Sequence, residues 1–258
     1  DLLLEPGAPD LSGYAPYFER CSDRRAAVTL EASPVYLYFA SSVAPAIKAA
    51  LPEVRLIFLL RDPVSRFVSH YRYLQLKPGT VSGRVGPDAF VRQLTASNGS
   101  LSDELFRAQD HVLQECILTS LYADNLQRFL DLFGANRVFV GCLEHLERSP
   151  AEFMKALCLF LGISGELYDG YGFSVENRRR NTKYPSLNHV AEVLTLRFEP
   201  VFNRYPALRR GVRRVYWRVN PEIGETDEHG LTSETDAVLR RYYAPSVNRL
   251  RRILTQGY

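Results

Sequence analysis

Arg61, Asp62 and Pro63 stand directly after a short apolar run, Arg55 to Leu60 (RLIFLL), and Ser69 follows the arginine by eight positions. A guanidinium with a hydroxyl at that spacing is equipment for holding an anion. The run has the length and composition of a strand buried on both faces of a parallel sheet. Asp62 is a good N-cap, and Pro63 at the first helical position sacrifices no useful hydrogen bond. Val64, Phe67, Val68 and Tyr71 then recur at i, i+3, i+4 and i+7, the core face of an amphipathic helix, with Ser65, Ser69 and Tyr73 along its flank. A strand ending in Arg and turning into a capped helix points the guanidinium and free backbone N–H groups past the sheet edge, an anion site.

A second cationic stretch, Asn177 to Pro185 (NRRRNTKYP), has no apolar periodicity and cannot be a core segment. It is a solvated basic turn or a second anion contact. From Arg178 onward the chain carries 16 Lys+Arg against 8 Asp+Glu, a net of +8, while the remainder carries 16 against 21, a net of −5. The C-terminal part is therefore the one suited to an anionic ligand. Cys21, Cys116, Cys142 and Cys158 have no close-spaced pair, so they point to buried thiols rather than to a zinc site or redox dithiol. No apolar run reaches the roughly 18 residues of a membrane span, and no secretory signal is present.

The strand, the Arg-Asp-Pro turn and the following Ser69 and Tyr71 resemble the 3′-phosphate-binding segment of sulfotransferases that use 3′-phosphoadenosine 5′-phosphosulfate (PAPS), both the carbohydrate and heparan-sulfate type and the bacterial type. Five further stretches are similar to the same family. Glu31-Ala32-Ser33-Pro34 with Tyr36 is similar to its Glu-x-Ser/Thr-Pro-x-Tyr segment, although Ala32 replaces a Lys that heparan sulfate 3-O-sulfotransferases use on the transferring group. Leu121 to Leu126 resembles Leu-Tyr-Ala-x-x-Leu. Glu144 and Leu146 after a strand, with Phe160-Leu161-Gly162 ending the next helix, form another match. Leu239 to Leu250 resembles the C-terminal pattern, and Asn177 to Pro185 takes the place of a Lys-Gly-Arg-x-x-Pro loop that wraps the nucleotide phosphates.

The resemblance implies a sulfotransferase (EC 2.8.2.-) that moves a sulfuryl group from PAPS to a hydroxyl or amine of a carbohydrate, leaving adenosine 3′,5′-bisphosphate and using no metal. Arg61 and Ser69 would fix the 3′-phosphate, and Arg180, Asn181, Thr182 and Lys183 would close over the nucleotide. Glu31 is the one acid nominated near the acceptor, as substrate-facing or catalytic. His70 and Glu144 read as structural residues. The family's Gly-rich, Lys-containing 5′-phosphosulfate loop does not occur, so its strand-loop-helix and the main catalytic base are expected upstream of Asp1. Partners expected are a carbohydrate or other small hydroxylated acceptor, with no nucleic acid and no membrane contact from this chain. The compartment is the cytoplasm for a bacterial protein, or the Golgi lumen for one anchored through an upstream segment.

The elements that must position these residues are an α/β arrangement. Ala27 to Glu31, Arg55 to Leu60 and Arg137 to Gly141 are strand candidates joined through helical sequence, which favours a three-layer fold, a parallel β-sheet flanked by helices. The resemblance makes this the P-loop NTPase-like sulfotransferase fold in a single domain, 1–258, with 188–232 as a helical insertion. Expected helices are a short aromatic one near Tyr14 to Phe18, Ala44 to Ala50, one or two between Ser102 and Phe133, Pro150 to Leu161, and Ser233 to Leu254. Leu118, Leu121, Tyr122, Phe129, Leu132 and Phe133 should face the core, as should Leu239, Tyr242, Tyr243, Val247 and Leu250. Pro245 should kink or split the last helix. Lys77 to Gly86 reads as a surface loop, and Asn98-Gly99-Ser100 fits the N-glycosylation pattern. Two other classes remain: a nucleotide- or glycan-binding protein without turnover, and a nucleic-acid binder using the basic C-terminal half. A nucleotide kinase lacks its Walker loop here.

Overall fold

The computed structural model describes residues 28–76, 85–95, 111–173, 184, 187, 191, 194–195, 197–221 and 230–257. The chain divides into two compact units, one formed by Asp1–Arg66, Gln114–Phe173 and Val238–Tyr258, the other by Phe67–Leu113 and Ser174–Ala237.

The first unit holds the sheet. Strand β1 (Leu56–Leu60) pairs in parallel with β2 (Val138–Cys142), in register from Leu56↔Val138 to Leu60↔Cys142. Successive side chains of a strand point to opposite faces. Leu56, Phe58, Val138 and Val140 therefore share one face, which packs on α1 (Ala40–Ala50) and α5 (Tyr122–Phe133) through Val43, Ala44, Ile47, Leu126, Phe129 and Phe133. On the other face Phe139 meets Phe153 and Phe160 of α7 (Pro150–Leu161) at ring separations of 5.7 and 5.5 Å. Gly141 is what lets α7 approach, because a Cβ there would overlap the Phe153 ring. Helices thus cover both faces of a parallel sheet, the expected layering.

Several expectations about this unit are corrected. Residues 28–31 of the first strand candidate form no strand, and Leu30 is 66% exposed, so the apolar residues of the segment have no partner edge to pack beside. β1 is not buried on both faces: Leu59 is 48% exposed, since α7 covers the sheet on the β2 side. Leu132 is solvent-exposed rather than core-facing, at the edge of the α5 apolar face beside the exposed Asp131. Helix α1 begins at Ala40, earlier than the expected Ala44, and accommodates Pro45 because both Pro45 and Ser41, whose carbonyl loses its partner, are exposed. β2 lies one residue later than expected.

The expected punctuation of α7 is present. Pro150 opens it, and Gly162, at φ +72°, closes it by donating its N–H to the Cys158 and Leu159 carbonyls. Between β2 and α7 lies the short α6 (Leu143–Arg148). The C-terminal helix α10 (Ser233–Gly257) buries Leu239 and Tyr243, and the Tyr243 hydroxyl donates to the Ile117 carbonyl at 3.1 Å. Pro245 does not split it; the residue is exposed, where water can satisfy the carbonyl one turn back. Cys116 and Cys158 are buried thiols, whereas Cys142 is exposed, contrary to expectation, because it ends the strand at the sheet rim.

The second unit is helical over its described residues. It takes in α2 (Pro63–Leu76) from Phe67 onward, α3 (Pro87–Thr95), the start of α4 (His111–Leu118), α8 (Glu199–Arg204) and α9 (Pro206–Val219). Phe67, Tyr71 and Phe90 pack together, and the Tyr71 hydroxyl and Gln75 amide both donate to the Val85 carbonyl, at 2.9 and 2.7 Å. Asp88 is buried at the start of α3. Its Oδ1 accepts the Thr232 N–H at 2.8 Å, the Thr232 hydroxyl at 2.9 Å and the Thr235 hydroxyl, and its Oδ2 pairs with Arg92. Burial alone would raise this carboxyl; the hydrogen bonds from Thr235 and Thr232 and the Arg92 charge outweigh it and hold the pKa at about 2. The short aromatic helix near Tyr14, loop residues 77–84, the Asn98 sequon and residues 102–110 lie outside the described residues.

Candidate functional site

The Arg61-Asp62-Pro63 turn is built as its sequence predicts. Asp62 caps α2, its Oδ1 accepting the Ser65 N–H at 2.9 Å and the Ser65 hydroxyl at 3.0 Å. Val64, Phe67, Val68 and Tyr71 are all buried. From α6, just past the end of β2, the turn is held by Glu144, whose Oε1 accepts the Asp62 N–H at 2.7 Å. From α10, Arg240 reaches the Asp62 Oδ2 at 3.4 Å. These contacts correct one expectation. The N–H groups of Asp62 and Ser65 are engaged within the turn, so they are not free for a ligand.

What remains for an anion is side chain. Arg61 is half-buried, and among the described residues its guanidinium has no hydrogen-bond or ion-pair partner. The neighbouring Arg66 differs, donating to the Thr119 hydroxyl. Tyr122 is buried close to the Arg61 backbone, and burial pushes its hydroxyl up to about 12 against the opposing pull of Arg66 and that backbone. It is a core residue with a place at the turn. Ser69 is exposed on α2 six residues after Pro63; it belongs to the second unit and Arg61 to the first.

Glu144 also accepts the Cys142 thiol at 2.6 Å. Burial pushes that thiol up, and the hydrogen bond and charge of Glu144 push it further. Burial would raise Glu144 too, but the bonds from Cys142 and the Asp62 N–H bring it below its ordinary value. A Glu144→Gln variant therefore lowers the Cys142 pKa. Its alkylation by iodoacetamide near pH 8 should accelerate by about two- to fivefold, since rate follows thiolate fraction. An unchanged rate would mean that the carboxylate does not control the thiol.

Glu31 is exposed and accepts the Tyr36 hydroxyl at 3.2 Å, which joins the acid and the tyrosine of that segment. Arg180, Asn181, Thr182 and Lys183 lie outside the described residues. The residue that follows them is described, and Asn220 grips it. The Tyr184 N–H donates to Asn220 Oδ1 at 2.7 Å, and Asn220 Nδ2 donates back to the Tyr184 carbonyl at 3.1 Å. Asn220 is fully buried. Among the described residues no cluster of His, Cys, Asp or Glu could hold a metal ion.

A family model, "Sulfotransferase domain", matches residues 9–193. The chain belongs to the sulfotransferase family. Among curated proteins, this sulfotransferase is 29% identical over 131 residues to the human bifunctional heparan sulfate N-deacetylase/N-sulfotransferase 1, covering 50% of the chain and 14% of the relative. Against the mouse protein of the same name it is 30% identical over 128 residues, 49% of the chain and 14% of the relative. The chain thus spans about a seventh of the length of these relatives. Among solved structures it is similar to a sulfotransferase from Alicyclobacillus acidocaldarius, at 28% identity and a TM-score of 0.48, over 77% of this chain and 70% of that one. The span of the family model, 9–193, includes the Arg-Asp-Pro turn, the Glu31 segment and the basic stretch at 178–183. It also covers Tyr122 and Glu144, whose positions at the turn the sequence pattern marked without revealing their contacts.

Proposed function

We propose that this sulfotransferase uses PAPS as donor and a carbohydrate hydroxyl or amine as acceptor. The observation that carries the reading is the half-buried Arg61 guanidinium, held at the end of β1 by a turn braced through Asp62 and Glu144 and left without a protein counter-ion among the described residues. A phosphate satisfies it. In this reading Arg61 and the Ser69 hydroxyl bind the donor's 3′-phosphate, and Arg180, Asn181, Thr182 and Lys183 contact the nucleotide. Their role is to place the donor for in-line attack and to offset charge on the departing phosphate oxygen. Glu31 is the acid nominated to face the acceptor. The names of the heparan sulfate relatives support a carbohydrate acceptor.

Calorimetric titration with adenosine 3′,5′-bisphosphate beside AMP tests the donor assignment. Binding of the bisphosphate at least roughly tenfold tighter than AMP is expected, because only the former presents a 3′-phosphate to a charge-assisted pair. Equal affinities would remove the basis for PAPS. Transfer of labelled sulfate from PAPS to N-desulfated heparan sulfate then tests the acceptor class.

A further inference from the structure

Helix α9, PALRRGVRRVYWRV, contains five arginines, at 209, 210, 213, 214 and 218, and no acid. Its apolar residues Leu208, Val212, Val215 and Val219 step by four, three and four, so they fall within about 60° of one another around the helix. A stripe of that kind ordinarily faces a core. Here it faces solvent: the four are 49%, 49%, 63% and 56% exposed. The same alternation of steps continues upstream through Tyr205, Val201 and Phe198, which are 54%, 41% and 47% exposed. The helix is held instead by its other side, where Tyr216 and Trp217 are half-buried and Asn220 is fully buried.

Charge decides what covers such a stripe. A second copy lying alongside would bring Arg204 and Arg209, which flank the apolar line, against the same residues of its mate. Pro200 and Pro206 also interrupt the repeat that a continuous coiled coil requires. A groove on an acidic protein would need a large anchoring side chain within the stripe of α9, where only Leu and Val occur. An anionic bilayer surface needs neither anchor nor continuity. It accepts short helices lying flat, with small apolar side chains below and arginines at the phosphate level.

We propose that α9 is an interfacial helix that docks this sulfotransferase on anionic phospholipid. Leu208, Val212, Val215 and Val219 enter the acyl boundary, Arg209 and Arg218, about 90° to either side of them, meet lipid phosphates, and Arg210, Arg213 and Arg214 on the far face add electrostatic attraction to the anionic surface. This reverses the expectation of no membrane contact. Spanning is a different matter, since no described helix is long and apolar enough to cross a membrane. The inference rests on residues separate from the donor site, so its failure leaves the PAPS reading untouched.

The test is flotation of the whole chain with extruded vesicles of phosphatidylcholine alone or of phosphatidylcholine and phosphatidylserine at 7:3. Binding to the anionic vesicles should be at least roughly tenfold tighter, and should weaken as salt is raised. Val212→Ser with Val215→Ser leaves the charge intact and should reduce binding about tenfold or more. Arg213→Gln and Arg214→Gln should each reduce it about fivefold. All four side chains are exposed, so helix content by circular dichroism should not change. Absence of binding to anionic vesicles would overturn the proposal. So would full binding by the serine variant, which would mean charge alone, as would self-association without lipid that the serine variant abolishes, which would mean a second copy.

Discussion

Arg61→Ala weakens adenosine 3′,5′-bisphosphate binding by roughly 30-fold or more, about 2 kcal/mol, through loss of a charge-assisted phosphate pair. The fold gives reason to expect that loss without collapse. The turn is held by Asp62, Glu144 and Arg240, none of which bonds the Arg61 side chain. A half-buried guanidinium without a counter-ion contributes little to stability, so the melting temperature should stay close to that of the parent. Affinity for AMP should change far less than affinity for the bisphosphate. Arg61→Lys should recover only part of the affinity, because an ammonium keeps the charge and loses the two-pronged geometry. Unchanged bisphosphate affinity in a folded Arg61→Ala protein would refute the assignment.

Asp88→Ala is expected to lower unfolding free energy by about 2–3 kcal/mol at pH 7. The change strips acceptors from the Thr232 N–H and from two hydroxyls, one of them on the buried Thr235, and leaves Arg92 unpaired. The effect depends on pH with a definite sign. The folded carboxyl titrates at about 2, against an ordinary 3.8. A depressed folded pKa adds stability that is fully present above the ordinary value and is lost as pH falls through the folded one. That contribution is on the order of 2 kcal/mol. Urea titrations of parent and variant at pH 7, 4, 3 and 2 should show a difference that holds to about pH 4 and then narrows. A constant difference down to pH 2 would mean that the carboxylate charge is not what Thr232 and Thr235 stabilise.

The segment from Arg55 to Tyr71 was legible because its signals are local. A short apolar run, a cap, a proline at the first helical position and a 3.6-residue period each act within a few residues, and they agree with one another. The same holds for Pro150 and Gly162 at the ends of α7. Contacts across long stretches of chain were not legible. Glu144 could be recognised as a structural acid at a strand end, but its bond to the Asp62 N–H spans 82 residues and depends on which strands pair. Asn220 gave no signal at all: a lone Asn after a basic helix reads as a cap, and only the folded chain brings Tyr184 to it. The strand candidate at 27–31 failed for the complementary reason. Its composition suits a strand, yet a strand exists only beside a partner edge, and composition does not specify one. The exposed stripe of α9 shows the same limit, since its spacing is ordinary for a core-facing helix and only the solvent exposure of Val212 and Val215 sets it apart.

The ladder between β1 and β2 works as a ruler. Its last pair is Leu60 with Cys142, and two residues past the end of each strand stand Asp62 and Glu144, joined at 2.7 Å. An inserted or deleted residue in either strand would displace one of these ends by about 3.3 Å and turn the next side chain to the opposite face. Arg61 would then leave the position where a phosphate could reach it. A change of length is therefore tolerated better in an exposed connection than in either strand, and the two strand tails can lengthen or shorten only together.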